Sequence, residues 1–163
     1  MNKLMIIAPV AIGLILLLLY VTFKSFRLAL LVISNLPFAL IGGIFALFFT
    51  GQYLSVPASV GFVVLFGVAV LNGLVLVSRI AQLREEGYGQ QDAIRKGSLD
   101  RLRPVLMTAS IAIFSLMPML LASGAGSEIQ KPLATVVVGG LITSTLLTLL
   151  VIPSVYSWFE REE

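Results

Sequence analysis

The chain has 163 residues, 58% of them hydrophobic and only 12% charged, with a formal net charge of +3 and a mean hydropathy of +1.04. Soluble domains carry about a quarter charged residues, so this chain has too little polar surface to cover a globule in water and reads as a membrane protein. Cysteine and histidine are both absent. That excludes a disulfide framework and a thiolate metal site, and removes the commonest transition-metal ligand and near-neutral proton shuttle.

A helix crossing the hydrocarbon core needs about 20 mainly apolar residues, and five stretches qualify. They run over residues 4–23, 28–50, 56–78, 105–123 and 133–158, and none contains Asp, Glu, Lys or Arg. One such charge at a helix centre costs roughly 2.5–3.5 kcal/mol, so the clean partition predicts five transmembrane helices. Lys3 before the first run imitates a signal peptide, but the run is long and Tyr20-Val21-Thr22-Phe23 has no small-residue cleavage site. Phe23 to Arg27 is short enough to make an antiparallel hairpin of the first two spans.

The connection over 79–103 is the one substantial extramembrane piece. Span three is predicted to continue helically through Arg84-Glu85-Glu86 until Gly87 and Gly89 break it. A short amphipathic helix follows from about Gln90, with Ala93, Ile94, Leu99 and Leu102 on its apolar side and Asp92, Arg95, Lys96 and Asp100 toward water. Pro104 suits the first turn of span four, where its missing N–H costs nothing. The fold class is all-α: a polytopic membrane bundle of five transmembrane helices plus that short cytoplasmic helix.

Nine basic residues (Lys24, Arg27, Arg79, Arg84, Arg95, Lys96, Arg101, Arg103 and Arg161) fall on one side of the five spans, against Lys3 and Lys131 on the other. The positive-inside rule then puts the long loop and the C-terminus in the cytoplasm and the N-terminus outside. The basic residues sit at membrane edges and give no argument for nucleic acid. Gly42 with Ala46, Ala69 with Gly73, and Gly140 with Ser144 recur at four-residue spacing, which lets helix backbones approach closely. Pro9, Pro37, Pro57, Pro118 and Pro153 in or near the spans predict kinks.

Several consecutive motifs carry a resemblance to one family. Ser55-Val56-Pro57-Ala58-Ser59-Val60-Gly61-Phe62 with Phe66-Gly67-Val68-Ala69-Val70-Leu71-Asn72-Gly73 resembles the tenth transmembrane helix of resistance-nodulation-division (RND) transporters of the heavy-metal branch. Asn35 to Gly43 is similar to the ninth helix, Arg101 to Thr108 to the start of the eleventh, and Gly124 to Glu128 with Pro132 to Gly140 to the turn into the twelfth. The resemblance covers essentially the whole chain. It implies helices eight to twelve of a trimeric inner-membrane antiporter that exchanges protons for metal ions and works with an adaptor protein and an outer-membrane channel. No cofactor is implied. The family's proton-binding carboxylate lies on the fourth helix, which has no counterpart in this sequence, and no span here carries an acid. The chain by itself is therefore expected to be inactive.

The resemblance also supplies candidates for a proton relay. Arg103 matches an arginine, and Thr108 is the nearest threonine to one, that the multidrug branch associates with that relay; Arg103 as a snorkelling anchor is the competing reading. Asn72 is a third candidate, or simply interhelical glue, since an unpaired amide in hydrocarbon is costly. Leu71 stands where the multidrug branch has lysine, which favours the metal branch over a multidrug fragment. Met5, Met107, Met117 and Met119 read as gap-filling core residues and not as thioether ligands. Gln130 stands where copper- and silver-exporting members have methionine, which leans the cargo toward divalent zinc, cobalt, cadmium or nickel. Glu128 reads as a solvated loop charge or as part of a periplasmic entrance.

The leading expectation is the C-terminal membrane portion of a proton-driven heavy-metal pump. Its rivals are one subunit of a split pump and a small regulatory membrane protein that binds an intact pump. An enzyme is not expected, because no nucleophile–base pair, metal-ligand cluster or phosphate-binding glycine loop occurs.

Overall fold

The computed structural model describes residues 2–159. Met1 and Arg161 lie outside that range, and the side chains of Lys3 and Met5 are likewise not described. Six helices follow in order: α1 Asn2–Phe23, α2 Phe26–Ile33, α3 Asn35–Thr50, α4 Val56–Glu85, α5 Gln90–Leu121 and α6 Ser127–Phe159. The stretches Phe26–Thr50, Val56–Glu85, Gln90–Leu121 and Ser127–Trp158 are each long and apolar enough to cross a membrane, and α1 adds the shorter apolar stretch Pro9–Phe23.

The second predicted span is split into α2 and α3 at Ser34. Pro37 explains the break, because its ring cannot donate to the Ile33 carbonyl and displaces it from the helical ladder. Ser34 bridges the gap by donating from its backbone N–H to Leu30 at 2.9 Å and from its hydroxyl to Leu31 at 2.6 Å. Further along, Gly51 closes α3 in the left-handed conformation at φ 65°, which only glycine adopts without cost. Ser55 caps α4 by accepting from the Ala58 N–H at 3.4 Å, and Pro57 occupies the first turn. As the sequence predicts, α4 continues past the apolar run and stops at Glu85, with Gly87 at φ 95°.

The amphipathic segment from Gln90 and span four form one continuous helix, α5, with Pro104 inside it. The proline sacrifices one hydrogen bond, at the carbonyl of exposed Asp100, where water can replace it. On its apolar side Ala93 and Ile94 are buried in the bundle, and Leu99 and Leu102 are exposed.

Contacts fix the relative directions of the helices. Gly61 packs on Leu133 and Val136, Leu65 on Gly140, and Gly73 on Ile152, so α4 and α6 run parallel. Asn35 meets Thr148, Gly42 meets Gly139 and Thr143, and Gln52 meets Thr135, so α3 runs antiparallel to α6. Helix α6 is thus the spine against which α3, α4 and α5 pack. The core has two apolar halves. One gathers Leu31, Val32, Leu76, Ile80, Leu83, Ile152 and Tyr156; the other gathers Ala39, Leu47, Phe62, Leu65, Val136 and Leu141.

Candidate functional site, a polar layer and an open helix face

Between those apolar halves α3, α4 and α6 contribute buried polar side chains. Asn35 of α3, Asn72 of α4 and Ser144, Thr145 and Thr148 of α6 are all buried. Asn35 Nδ2 donates to Thr148 Oγ1 at 2.6 Å and approaches the Ala69 carbonyl at 3.5 Å. Asn72 Nδ2, Ser144 Oγ and Thr145 Oγ1 have no hydrogen-bond partner. Such groups are expensive in an apolar surround and mark functional or hydrated positions.

Asn72 lies on the buried stripe of α4 with Leu65, Ala69, Leu76 and Ile80, whereas Leu71 is 54% exposed. The sequence singled out Asn72 but not its companions. Asn35 entered only as part of a motif, and Thr148 looks like any hydroxyl residue in a Leu-rich run.

The other candidates lie elsewhere. Arg103 is exposed on α5 and lines an open groove of about 550 Å³ with Leu106, Met107, Ser110 and Ile111. Thr108 is exposed and donates to its own helix, at the Pro104 carbonyl, 3.0 Å away. Arg103 and Thr108 therefore share one helix and do not meet Asn72 through any hydrogen bond. Glu128 is exposed in the first turn of α6, where the helix dipole favours a carboxylate. Met107 and Met117 are exposed on α5 at 57% and 43%, so they are not gap-fillers of this core. Only 11% of the apolar window of α5 is buried, against 39–50% in the other three spans, so α5 presents an unusually open face. Among the described residues, no group of three or more Asp, Glu, His or Cys converges to hold a metal ion.

At the loop end of the bundle, Arg79 clamps the α4–α5 hairpin. Its Nη2 lies 2.9 Å from Asp100 Oδ2, its Nη1 3.1 Å from Gln82 Oε1 and 3.9 Å from Glu86. Lys96 Nζ donates to the Tyr88 hydroxyl at 2.7 Å, and this bond, ahead of Coulombic attraction to Tyr88, Asp100 and Glu86, holds the ammonium above the ordinary lysine range.

Long apolar helices with a polar layer at mid-depth define an integral membrane helix bundle of the kind that builds transporters. Residues 1–160 match the AcrB/AcrD/AcrF family, and the chain belongs to it. It is 51% identical over 162 residues to the cobalt-zinc-cadmium resistance protein CzcA of Cupriavidus metallidurans, covering 99% of this chain and 15% of that protein. It is 50% identical over 162 residues to the nickel-cobalt-cadmium resistance protein NccA of Alcaligenes xylosoxydans xylosoxydans, again 99% of this chain and 15% of that one. The crystal structure of a heavy metal efflux pump superposes with a TM-score of 0.89 at 43% identity, over 98% of this chain and 16% of that chain. The chain thus aligns with one stretch of these proteins and spans about 15% of the length of the curated relatives it matches.

Proposed function

We propose that this chain is the membrane portion, equivalent to helices eight to twelve, of a proton-driven pump that exports a divalent metal cation. The observation that carries the reading is the 51% identity to a cobalt-zinc-cadmium resistance protein across 99% of the chain. The 50% identity to a nickel-cobalt-cadmium resistance protein supports the same cargo class. In this reading the chain sits in the bacterial inner membrane, with the N-terminus periplasmic and the basic loop and C-terminus cytoplasmic. It works within a homotrimer alongside an adaptor protein and an outer-membrane channel.

The open face of α5 seats the remaining helices of the pump, which bring a titratable carboxylate of the kind that the five charge-free runs of this sequence do not contain. Arg103 and Thr108 lie on that helix and face that contact as relay candidates, Asn72 supports them from the polar layer, and Glu128 lies at the periplasmic end. Supporting this is the exposure of Arg103, Leu106, Met107, Ile111 and Phe114 along a single helix. With no acid in the charge-free runs, this reading expects no proton-driven flux from the chain on its own.

The test is zinc uptake into inverted membrane vesicles under an imposed proton gradient, with this chain alone and with the complementary N-terminal portion of a heavy-metal pump co-expressed. Gradient-dependent flux only in the second preparation supports the reading. Flux from the chain alone sinks it, and no rescue by the complementary portion favours a regulatory role.

A further inference from the structure

The ends of α5 and α6 that meet at the loop side of the bundle enclose a second groove, of about 550 Å³. The lining is half apolar, with Ile94, Leu99, Leu149 and Pro153, and half polar, with Gln91, Arg95, Ser98, Ser154 and Ser157, the two kinds alternating along both helices. Gln90 Nε2 holds the two helices together here by donating to the Ser157 carbonyl at 3.3 Å.

Arg95 is exposed and makes no ion pair with any described residue. Asp92, one turn earlier on α5, lines the neighbouring groove with Arg95 but forms no ion pair with it. Asp100, the next acid along, is engaged by Arg79. The Ser98 hydroxyl is buried beside the groove without a hydrogen-bond partner. The other hydroxyls of the lining are occupied, since Ser154 donates to the Leu150 carbonyl and Ser157 to the Ser154 carbonyl, both at 2.8 Å. Arg95, without an ion-pair partner among the described residues, gives the polar half a positive charge, and the Gln91 amide and the spare Ser98 hydroxyl can each donate beside it, so an anion with acceptor oxygens fits the lining. The depth of the groove identifies the carrier of that anion. It straddles the point where the apolar run of α6 ends and the charged segment of α5 begins, with Trp158 74% exposed nearby as interfacial aromatics commonly are.

We propose that this groove is a binding site for an anionic phospholipid of the leaflet facing the basic loop. The headgroup phosphate sits on Arg95 and Gln91, Ser98 turns its hydroxyl to it, and an acyl chain lies along Leu149 and Pro153. A free phosphate would leave the apolar half uncovered, which is why the lipid is the fitting occupant. Lys96, which lines the neighbouring groove with Arg95, adds positive charge that favours anionic over zwitterionic headgroups. The assignment of that leaflet as cytoplasmic rests on the orientation proposed above; the binding itself does not.

The test is native mass spectrometry of the full 163-residue chain released from vesicles of phosphatidylglycerol and phosphatidylcholine. The expected result is one retained phosphatidylglycerol per chain, with Arg95→Gln lowering the retained fraction about fivefold, the factor one surface cation contributes. Arg27→Gln, the same charge change outside the groove, should retain the lipid. Leu149→Trp fills the apolar half without touching charge and should also release it, which covers the case in which Arg95→Gln fails to fold. Equal loss in Arg95→Gln and Arg27→Gln overturns the site in favour of general charge attraction. Displacement by millimolar inorganic phosphate overturns the lipid in favour of a free anion. Neither outcome depends on transport, so failure here is distinct from failure of the pump reading.

Discussion

Asn35 and Thr148, 113 residues apart, join α3 to α6 through a hydrogen bond of 2.6 Å at the depth where the two apolar halves of the core meet. Interhelical hydrogen bonds in membranes contribute about 0.6 kcal/mol on average and at most about 1.7. The partners here are both buried and the bond is short, so a value in the upper half of that range is expected. A double-mutant cycle with Asn35→Leu and Thr148→Val, read by reversible unfolding in mixed micelles, measures it. A coupling of zero would mean that the Asn35 amide relies on the Ala69 carbonyl, 3.5 Å away.

The α3–α6 contact is built on small residues, and it sets a second prediction. A Cβ added at Gly139 would collide with Ala46 and lie 3.1 Å from the Gly42 carbonyl, and one at Gly42 would lie 2.9 Å from the Gly139 carbonyl. Backbone cannot yield as a flexible side chain does. Gly139→Ala and Gly42→Ala should each destabilise the chain by about 1–3 kcal/mol in the same unfolding assay. Gly67, with nothing within 4 Å of its Cβ position, is the control; Gly67→Ala should stay within about 0.5 kcal/mol.

These contacts explain what was legible in the sequence. Span existence was legible because transfer energy depends on composition alone, and a charge-free run of twenty residues has few other interpretations. The pairing of Asn35 with Thr148 was not, because it depends on the rotational phase of two helices far apart in the chain. Small-residue spacing marked Gly42 and Ala46 correctly as packing positions but gave no means of naming Gly139 as their partner. Pro37 signalled a kink and the chain breaks there, whereas Pro104 signalled a helix start and the helix runs through it. The difference lies in where the freed carbonyl falls: Asp100 is exposed to water, and Ile33 is half-buried in the bundle. Arg103 and Thr108 were found by motif, and only the fold reveals that Thr108 bonds back to its own helix.

Lys96 gives a pH prediction outside the membrane. The Tyr88 hydroxyl accepts from the ammonium, and Asp100 and Glu86 add attraction, so the charged form is favoured in the folded state and the pKa is raised. A raised folded pKa means that the contribution to stability is fully present below the unfolded lysine value and is lost as pH rises through the folded one. The loss therefore falls above pH 10.5, the ordinary lysine value. Tyr88→Phe keeps the ring that lies 4.4 Å from Lys96 Nζ but removes the acceptor. The Lys96 titration, followed by NMR at its Cε, should move down in that variant; an unchanged titration would assign the shift to the carboxylates.

Arg103 separates two physical roles for a cation at the end of a membrane helix. A snorkelling anchor needs a long stem and a positive charge, which lysine supplies equally well. A group that organises proton transfer through a fixed fork of donors needs the planar guanidinium, and lysine is a poor replacement. Arg103 makes no ion pair with any described residue and is exposed on the open face of α5, so its partner in the relay reading comes from the rest of the pump. In the reconstituted assembly, Arg103→Lys is expected to lower gradient-driven zinc flux at least about tenfold, with insertion and assembly unchanged. Thr108→Val should lower it by a similar factor, since its hydroxyl would have to leave the Pro104 carbonyl to join the relay. Full flux in Arg103→Lys, with loss only in Arg103→Gln, would assign the residue to anchoring and leave the proton path to side chains outside this chain.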